Sequence, residues 1–497
     1  MSQAILVLDC GATNVRAVLV DSKGVIVSQH SIANNTIRDN FHPGGLLWDE
    51  DEIWKKMCQC SRKVIEETQG KFTVAGITVT TFGVDGAPVT NTGKMLYPVI
   101  SWQCSRTQSV INKIDEYMGT DELYQKNGLQ FYPFNTLFKL IWLQQNKPEV
   151  LEKTHKFLFI PSLFIFRMTG EMLNDTTMAG TSMLTDLKQR DFDEAILNTV
   201  GLNKEKFYPM VEPGTIAGHL VVNAARDLGL PEKTPVIVGG HDTQFAVFAA
   251  GASSNQPVLS SGTWEILMAR SDSEKLAVPD KKEGVTIELD VTAGLVNPGV
   301  QWVASGVLEW IMNLMYSDIK SDASRFDKII SEAEKIEPGC NGVKVLPELF
   351  PGGIVNNRGL IEGLTHTTTR AHIYRATLEA LSFYLKSGLS KLEKLSVSKT
   401  DSVICVGGGS KNRLWNQIRA DVLGVPVLTN DIKETTVLGA ACFAMAALQW
   451  YKSPDDALEQ VVSHTSEFIP GKNSSIYQDL FDNFNNKHFK QACNKKI

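Results

Sequence analysis

The chain has 497 residues and a formal net charge of −6, with 43% hydrophobic and 21% charged residues. A length well beyond the roughly 250–300 residues that one core can serve predicts a soluble globular protein of two domains. A sequence pI near 5.9 excludes the strongly basic surface expected of a protein that binds nucleic acid or an anionic membrane.

The cysteines and the start of the chain bear on the cellular compartment. The eight cysteines form no CxxC pair and lie mostly in apolar runs, which predicts reduced cytoplasmic thiols and argues against a zinc site or a disulfide framework. The first residues enter a strand without a basic segment or a cleavage site, so no secretory signal is expected. The longest apolar runs, near 157–168 and 437–450, are too short or too mixed to span a bilayer.

The first motif is a strand, a tight turn and a second strand over residues 5–20. A glycine in such a turn lets the backbone approach a ligand, and successive turn amides can form a nest for an anion. Asp9, at the end of the first strand, could hold a hydrated Mg²⁺. The alternative is a plain β-hairpin with a glycine in its loop. The predicted phosphate-binding residues of this hairpin are Gly11, Thr13, Asn14 and Arg16.

A second strand, Gly-Thr turn and strand occupy residues 258–268. Gly262 and Thr263 of this turn are predicted to bind phosphate, although a Ser-Ser-Gly-Thr run can be only a hairpin turn. Gly306 lies near the start of a predicted apolar helix and would suit the same role. A glycine that serves helix packing explains Gly306 nearly as well.

The pattern D-x-G-x-T-x-x-R over residues 9–16 resembles the first phosphate motif of the superfamily of sugar kinases, actin and Hsp70. The second hairpin resembles the internal duplication found in that superfamily. The resemblance implies an α/β protein of two ribonuclease-H-like domains with a central cleft that closes over ATP.

A third glycine-containing turn follows the predicted strand 402–406 and precedes a predicted helix over 414–423. Three successive glycines let the chain pass close to a planar or charged ligand. Alone the motif is weak, because turns in βαβ units often carry glycines for packing. With the two hairpins it predicts the adenosine site, formed by Gly407, Gly408, Gly409 and, as a further contact, Asn412.

An apolar strand at 236–238 ends in two glycines and delivers His241 and Asp242 just before a second apolar run. A carboxylate at the end of a buried strand lies where catalytic groups of open α/β sheets cluster. Asp242 is therefore the predicted catalytic base. The alternative is an aspartate that caps the following helix.

The first half of the chain also contains candidates for sugar binding. Asp85 follows the predicted strand 74–81 and is flanked by Gly83 and Gly86, so it could accept hydrogen bonds from sugar hydroxyls or serve as a turn aspartate. Trp102 ends an apolar segment and suits packing on the apolar face of a sugar, although a lone tryptophan is more often core. Residues 175–183 are predicted to be a loop of small and hydroxyl residues without a catalytic role.

Gly240-His241-Asp242, together with the two hairpins and the glycine turn, resembles the FGGY family of carbohydrate kinases over most of the chain. The resemblance implies an N-terminal sugar-binding domain at 1–244 and a C-terminal nucleotide-binding domain at 245–497. Within that family, five segments resemble most closely the branch that acts on L-fuculose: 81–87, 100–102, 178–182, 240–245 and 260–268.

Other substrates stay open. Glycerol kinases carry Arg-Glu where this chain has Val84-Asp85, so glycerol is a poor candidate. Rhamnulokinases share the Gly-Val-Asp and Gly-His-Asp-Thr runs, which makes L-rhamnulose the nearest competitor, with D-ribulose and D-xylulose as further alternatives.

The resemblance implies that ATP phosphorylates L-fuculose at its 1-hydroxyl, with Mg²⁺ as the cofactor and no nucleic-acid or membrane partner. Asp242 would accept the hydroxyl proton, and Gly83, Asp85 and Trp102 would contact the sugar. Asp9 and Asp242 would bind Mg²⁺ through water. The sequence does not decide between a monomer and a homo-oligomer.

Two other classes of protein are compatible with parts of the pattern. An actin- or Hsp70-like ATPase would share the hairpins but would need no sugar-contacting Asp85 and Trp102. A sugar sensor on an inactive kinase scaffold would be expected to lack Asp242 or a phosphate glycine. Such a sensor usually also has a DNA-binding domain, for which the strand-first N-terminus predicts no room.

Overall fold

The computed structural model describes residues 2–253, 255–319, 324–348, 359–395, 399–430, 434–461 and 464–484. Its contacts divide the chain into two compact units. The first comprises 1–251, 271–297 and 434–462, and the second comprises 252–270, 298–433 and 463–497. The sequence predicted one domain boundary, at 244/245. In the structure two later segments, 271–297 and 434–462, also belong to the first unit.

The first unit contains a six-stranded sheet. Its strands lie in the order Ile216–His219, Pro235–His241, Phe72–Thr81, Ser2–Cys10, Asn14–Asp21 and Ile26–Ala33. The three central strands are parallel to one another, and the flanking pairs are antiparallel. The central strands are almost fully buried, as their continuous apolar runs predict.

The register of the three parallel strands brings their carboxyl ends to one edge of the sheet. Thr80 of the middle strand lies beside Asp9 on one side and Gly240 on the other. Thr81 likewise lies between Cys10 and His241. The chain segments that carry the predicted base and the predicted magnesium ligand are therefore held at the same sheet edge, where open α/β sheets place their ligands.

Helices and short strands complete the first unit. The long helix Glu50–Glu67 begins as predicted, with Asp49 accepting a hydrogen bond from the backbone N–H of Glu52 at 3.0 Å. The other helices are Gln108–Ile111, Thr120–Asn127, Thr136–Asn146, Pro148–Lys153, Ile160–Thr169, Thr176–Thr181, Glu194–Thr199, Val222–Leu228, Asp242–Ala249, Thr435–Ala447 and Pro454–Glu459. The short strands are Ile37–Arg38, Leu46–Trp48, Gly86–Val89, Val99–Ile100, Lys156–Phe159, Asn174–Asp175, Thr185–Asp186, Asp191–Phe192, Met210–Val211, Ser271–Asp272 and Thr286–Leu289.

The second unit has its own mixed sheet. Its strands lie in the order Leu295–Val303, Trp264–Met268, Val258–Ser261, Val403–Val406, Val427–Asn430 and His464–Phe468. The first three residues of Leu295–Val303 belong to the first unit. The second predicted hairpin is present, and its first strand pairs in parallel with Val403–Val406. The helices are Ser305–Met315, Arg325–Glu334, Arg370–Leu395, Arg413–Leu423 and Ser474–Phe484, and the strands Lys344–Leu346 and Leu360–Glu362 form a separate pair.

Two sequence expectations differ from the structure. The predicted loop at 175–183 contains the helix Thr176–Thr181, whose poor intrinsic propensity is offset by the Asp175 cap. The polar segment after residue 453 is more than a surface helix, because the strand His464–Phe468 joins the sheet and Tyr477 is fully buried. The sequence also predicts a Pro/Gly-rich loop at 347–357 and a frayed C-terminal tail, of which residues 349–357 and those after 484 lie outside the described residues. Among the described residues, no helix is both long and apolar enough to cross a membrane.

Candidate active site

Asp242 is the first residue of the helix Asp242–Ala249, directly after the strand Pro235–His241. The N-cap position belongs to His241, and no side chain caps this helix, so the capping role considered for Asp242 is wrong. The Asp242 side chain is 26% exposed. Its Oδ1 accepts one hydrogen bond, at 3.1 Å, from the Thr243 hydroxyl. The carboxylate is thus held in place while part of it faces solvent.

The surroundings of Asp242 make it a stronger base than an ordinary aspartate. Burial among protein atoms, and next the negative charge of Asp9, raise the pKa of Asp242 to about 7. Thr243 and Arg16 act in the opposite direction but do not cancel these effects. A general base is most effective when its pKa lies near the working pH. The site therefore satisfies the chemical requirement for proton abstraction near neutrality.

Asp9 is fixed by hydrogen bonds to both of its oxygens. The Thr80 hydroxyl donates to Oδ1 at 2.9 Å, and Arg16 donates to Oδ2 through Nε at 3.0 Å and Nη2 at 2.5 Å. The other terminal nitrogen of Arg16 donates to Glu434 at 2.5 Å. The sequence expected Glu434 to help cap the helix Thr435–Ala447, but its side chain makes no cap bond. The Arg16 charge, predicted to hold phosphate, is shared between two carboxylates in this structure.

The turn after Asp9 has the geometry expected of a ligand-binding hairpin. The backbone N–H of Gly11 donates to the carbonyl of Asn14 at 2.9 Å. Asn34 supports the turn from below, because its side chain donates to the Gly11 carbonyl at 3.0 Å. Thr13 and Asn14 are exposed at the tip. Two of the predicted phosphate-binding side chains are therefore available to a ligand.

Asp9 and Asp242 are the residues of the first unit that could hold a divalent cation. Carboxylate oxygens are the ligands that Mg²⁺ prefers, and a cation beside them would offset the repulsion that raises the pKa of Asp242. Among the described residues, no group of three or more histidine, cysteine, aspartate or glutamate side chains could coordinate a metal together. The arrangement fits a Mg²⁺ that keeps several waters, as this ion usually does.

His241 and Gly83 lie against each other beside Asp242. Nε2 of His241 is 3.5 Å from Oδ1 of Asp242, and Nδ1 has no hydrogen-bond partner although it is buried. Burial lowers the pKa of His241. A Cβ at position 83 would lie 2.8 Å from Nε2 of His241, so Gly83 leaves the room that the imidazole occupies. Gly83, predicted to contact sugar, has at least this packing role.

Three polar residues near Asp242 were missed in the sequence. Gln244 is buried on the helix that Asp242 begins; it donates to Glu288 and accepts from Asn297 at 2.5 Å. Glu288 lies on the strand Thr286–Leu289, with Oε2 3.8 Å from Nδ1 of His241. A glutamine directly before the apolar run that starts at Phe245 was the one available signal, because a buried polar side chain must have partners.

Asp85 is fully buried and bonded through both oxygens. Lys139 forms an ion pair with Oδ1, while the indole N–H of Trp48 and the backbone N–H of Trp102 donate to Oδ2 at 2.7 Å and 3.1 Å. Lys139 and Thr136 also donate to the carbonyl of Val84, which has a φ of 64°. Asp85 thus organises the segments that surround it. A carboxylate has about four acceptor positions, so these bonds leave capacity for one more donor.

Trp102 is partly exposed and next to Asp85. Its ring meets Phe134 edge to face at a centroid distance of 6.5 Å, and its indole N–H is buried without a partner. A buried donor without an acceptor is costly unless something outside the protein satisfies it. Trp102 therefore presents part of an apolar ring at the surface, while its indole N–H lies buried.

The second unit repeats the hairpin turn. The backbone N–H of Gly262 donates to the carbonyl of Trp264 at 3.0 Å, and Thr263 is exposed. The Thr263 carbonyl accepts hydrogen bonds from the backbone N–H groups of Ala304 and Gly306, at 2.9 Å and 3.3 Å. Gly306 is buried, and its N–H already has this acceptor. Its position explains how the helix Ser305–Met315 is docked on the hairpin.

Two of the three glycines at 407–409 pack against Ser261. A Cβ at Gly407 would lie 2.8 Å from the Ser261 carbonyl oxygen, and a Cβ at Gly409 would lie 2.0 Å from its hydroxyl. Gly408 is exposed, and a Cβ there would meet nothing within 4 Å. The turn therefore needs glycine first for contact with the neighbouring strand, and its exposed part is the surface that a nucleotide could approach.

Asn412 is the N-cap of the helix Arg413–Leu423. Its Oδ1 accepts from the backbone N–H of Trp415 at 3.1 Å, and its Nδ2 donates to the Tyr374 hydroxyl at 3.4 Å. This capping role was not predicted, although an asparagine just before a helix is a common cap.

The family of the chain follows from comparison with known proteins. The N-terminal domain model of the FGGY family of carbohydrate kinases matches residues 4–249, and the C-terminal domain model matches residues 258–448. The chain belongs to this family, as the motifs predicted, and has its two-domain α/β fold.

Individual relatives within and beyond this family are also similar to the chain. The chain is 45% identical to the L-fuculokinase of Escherichia coli (strain K12) over 478 residues, which cover 96% of this chain and 99% of that protein. It is 43% identical to the L-fuculokinase of Haemophilus influenzae, over 93% and 98% of the two chains. Its fold is similar to that of ligand-bound xylulose kinase from Lactobacillus acidophilus, with a TM-score of 0.88 at 22% identity and coverage of 98% and 99%.

Proposed function

We propose that this protein transfers the γ-phosphoryl group of ATP to the 1-hydroxyl of L-fuculose, giving L-fuculose 1-phosphate and ADP. The position of Asp242 carries the kinase chemistry: a partly exposed carboxylate with a pKa near 7 lies at the sheet edge next to Asp9. The choice of L-fuculose is supported by relatives of that activity that are 43–45% identical over nearly the whole chain.

In the proposed reaction, Asp242 orients the hydroxyl and accepts its proton as the oxygen attacks the phosphorus. Phosphoryl transfer has a loose transition state, so positioning and electrostatic stabilisation contribute most of the catalysis. Mg²⁺, when bound near Asp9 and Asp242, would neutralise charge that develops on the phosphate oxygens. Asp9 is kept in one orientation by Thr80 and Arg16.

The proposed sugar site contains Trp102, Asp85 and Gly83. Trp102 offers its partly exposed ring to the ketose. Asp85 acts mainly by holding Trp48, Trp102 and Lys139 in their places, and through its remaining acceptor capacity. Gly83 keeps the space in which His241 lies beside Asp242.

The proposed nucleotide contacts come from the two hairpin turns and the glycine turn. Exposed Thr13, Asn14 and Thr263 supply donors for phosphates, and Gly11 and Gly262, whose N–H groups donate across their own turns, hold these turns in shape. The exposed backbone at Gly407 and Gly408 suits the adenosine. We place the reaction in the cytoplasm, where ATP is available and where the seven described cysteines, all free and buried, would stay reduced.

A coupled ADP-release assay tests the substrate. The purified protein would be given Mg-ATP with L-fuculose, L-rhamnulose, D-ribulose, D-xylulose or glycerol. We expect the highest kcat/KM with L-fuculose and the lowest with glycerol. A higher value for another ketose would retain the kinase chemistry and overturn the L-fuculose assignment, and ADP release that no sugar stimulates would overturn both.

A further inference from the structure

The helix Thr176–Thr181, predicted as a loop without a catalytic role, contacts the chain just before Asp242. The Thr177 hydroxyl accepts a hydrogen bond from the backbone N–H of His241 at 2.9 Å. The same hydroxyl donates to Oδ1 of Asp175 at 2.5 Å. Oδ1 of Asp175 also accepts from the backbone N–H of Met178 at 2.9 Å, which fixes the carboxylate as the cap of this helix.

The direction of this chain of hydrogen bonds is determined by chemistry. A threonine hydroxyl has a single proton, and a backbone N–H can only donate. The His241 N–H therefore donates to Thr177, and Thr177 must donate to Asp175. Thr177 is fully buried and Asp175 is 1% exposed, so water does not replace either bond.

Gly240 shows how closely the backbone lies against this pair. Its φ is 151°, and a Cβ there would lie 2.3 Å from both Oδ1 of Asp175 and the hydroxyl of Thr177. No other residue type fits at this position without displacement of the pair or of the strand. The segment 240–241 is thus located by Thr80 and Thr81 on one side, through the sheet, and by Thr177 on the other.

We infer that Asp175 and Thr177 are positioning residues for the phosphoryl transfer. They hold the backbone of Gly240 and His241 so that Asp242, the next residue, is aimed at the hydroxyl from which it removes a proton. This inference rests on the proposed role of Asp242 as the base. Neither residue touches Asp242 itself, so both act only through the position of the strand end.

The test is the substitution Thr177→Val, which keeps the shape and removes the hydroxyl. Thr176→Val is a matched control, because Thr176 is the adjacent residue, 3% exposed, and its hydroxyl donates to Glu212 at 2.7 Å. We expect Thr177→Val to lower kcat roughly 10- to 100-fold, the scale of misplacement by a fraction of an ångström to 1 Å. The KM values for ATP and ketose should stay within about twofold in both variants, because uniform binding is unchanged.

Two further measurements separate positioning from stability. Thr177→Val should lower the melting temperature more than Thr176→Val, because it removes two buried hydrogen bonds and Thr176→Val removes one to the 40% exposed Glu212. Thr177→Ser should restore most of kcat because it restores the hydroxyl. Hydrogen exchange at the His241 amide should accelerate in Thr177→Val and stay unchanged in Thr176→Val. If Thr177→Val does not fold, Thr177→Ala removes the same hydroxyl without adding a methyl group and should give the same loss of kcat.

Equal kcat values in the two valine variants, or a kcat loss that Thr177→Ser does not reverse, would overturn the inference. Failure of the proposed base role of Asp242 would give a different result. If Asp242→Asn retains turnover, Asp242 is not the base and the positioning role falls with it. If Asp242→Asn is inactive while Thr177→Val is as active as Thr176→Val, only the positioning role is lost.

Discussion

The two hairpins share a turn and differ in what surrounds it. In both, the turn glycine donates its N–H to a carbonyl across the turn, at 2.9 Å for Gly11 and 3.0 Å for Gly262. Behind the first turn lie Asp9, Arg16 and Glu434, of which Arg16 and Glu434 remain about one-quarter exposed. Behind the second lie Glu265 and Arg419, which are both completely buried. The same backbone motif thus lies beside partly exposed charges in one unit and beside a fully buried ion pair in the other.

The buried pair of the second unit belongs to a network that joins its hairpin to the helix Arg413–Leu423. Arg419 pairs with Glu265, donates to the Ser261 hydroxyl at 2.8 Å and stacks on Trp415 at 3.7 Å. Ser261 donates in turn to Glu265 at 2.8 Å. This network fixes the strand against which the glycine turn packs. Arg16 and Glu434 near the first hairpin therefore stay partly exposed, whereas Glu265 and Arg419 near the second are buried with each other.

The largest expected effect concerns the proposed role of Asp242 as the base. Asp242→Asn should reduce kcat by roughly 10²- to 10⁴-fold, the usual contribution of a general base. Folding should be retained, because the amide is isosteric and no longer repels Asp9. Steady-state kinetics, circular dichroism and ATP-binding calorimetry measure these effects. A kcat near that of the unmodified protein would refute the base assignment.

The next effect concerns the buried ion pair of Arg419 and Glu265 in the second unit. Arg419→Met should destabilise the second unit by about 3–5 kcal/mol, because it leaves the Glu265 carboxylate buried without its charged partner. Denaturant unfolding followed by tryptophan fluorescence would measure the change. Lys55→Met is the control, since the Lys55 pair with Glu52 is exposed and 3.9 Å long and should contribute less than about 1 kcal/mol. Similar losses of unfolding free energy in the two variants would show that the buried pair contributes no more to stability than the exposed one.

A smaller effect separates packing from ligand contact in the glycine turn. Gly409→Ala should destabilise the protein by about 1–3 kcal/mol, because its Cβ would overlap the Ser261 hydroxyl. Gly408→Ala should change stability by less than about 0.5 kcal/mol, since its Cβ meets open space. An increase in the KM for ATP in Gly408→Ala, with unchanged melting temperature, would support adenosine binding there. Equal melting temperatures for the two variants would refute the packing argument.

The smallest effect concerns pH. Asp242 acts as a base only when ionised, and its pKa is raised to about 7. The kcat/KM for the ketose should therefore be constant well above pH 7 and fall about tenfold per pH unit well below it. A pH–rate profile at saturating Mg-ATP would show the acid limb. A profile that stays flat down to pH 5 would mean that Asp242 titrates like an ordinary aspartate in the working enzyme.

Much of the local structure around the candidate site was predictable because its signals are local. A strand, a glycine turn and a second strand are recognisable from a few consecutive residues, and this was enough for both hairpins. Asp242 was found by the same means, since a buried strand that ends in glycines places the next side chain at a sheet edge. The helix at 176–181 was missed because its residues have low helix propensity, and a single cap from Asp175 compensates for this.

The sequence by itself determined the family, the two α/β domains and the positions of the two hairpin turns, because short motifs and strand periodicity encode them. Only the tertiary structure decided that Arg16 pairs with Glu434 and that Asp85 pairs with Lys139. The same holds for the hydrogen bond between Thr177 and the backbone of His241, and for the presence of segments 271–297 and 434–462 in the first unit. These partners are separated by tens to hundreds of residues. Their meeting depends on how whole elements pack and which buried polar groups must be satisfied, and no local pattern in one sequence records that choice.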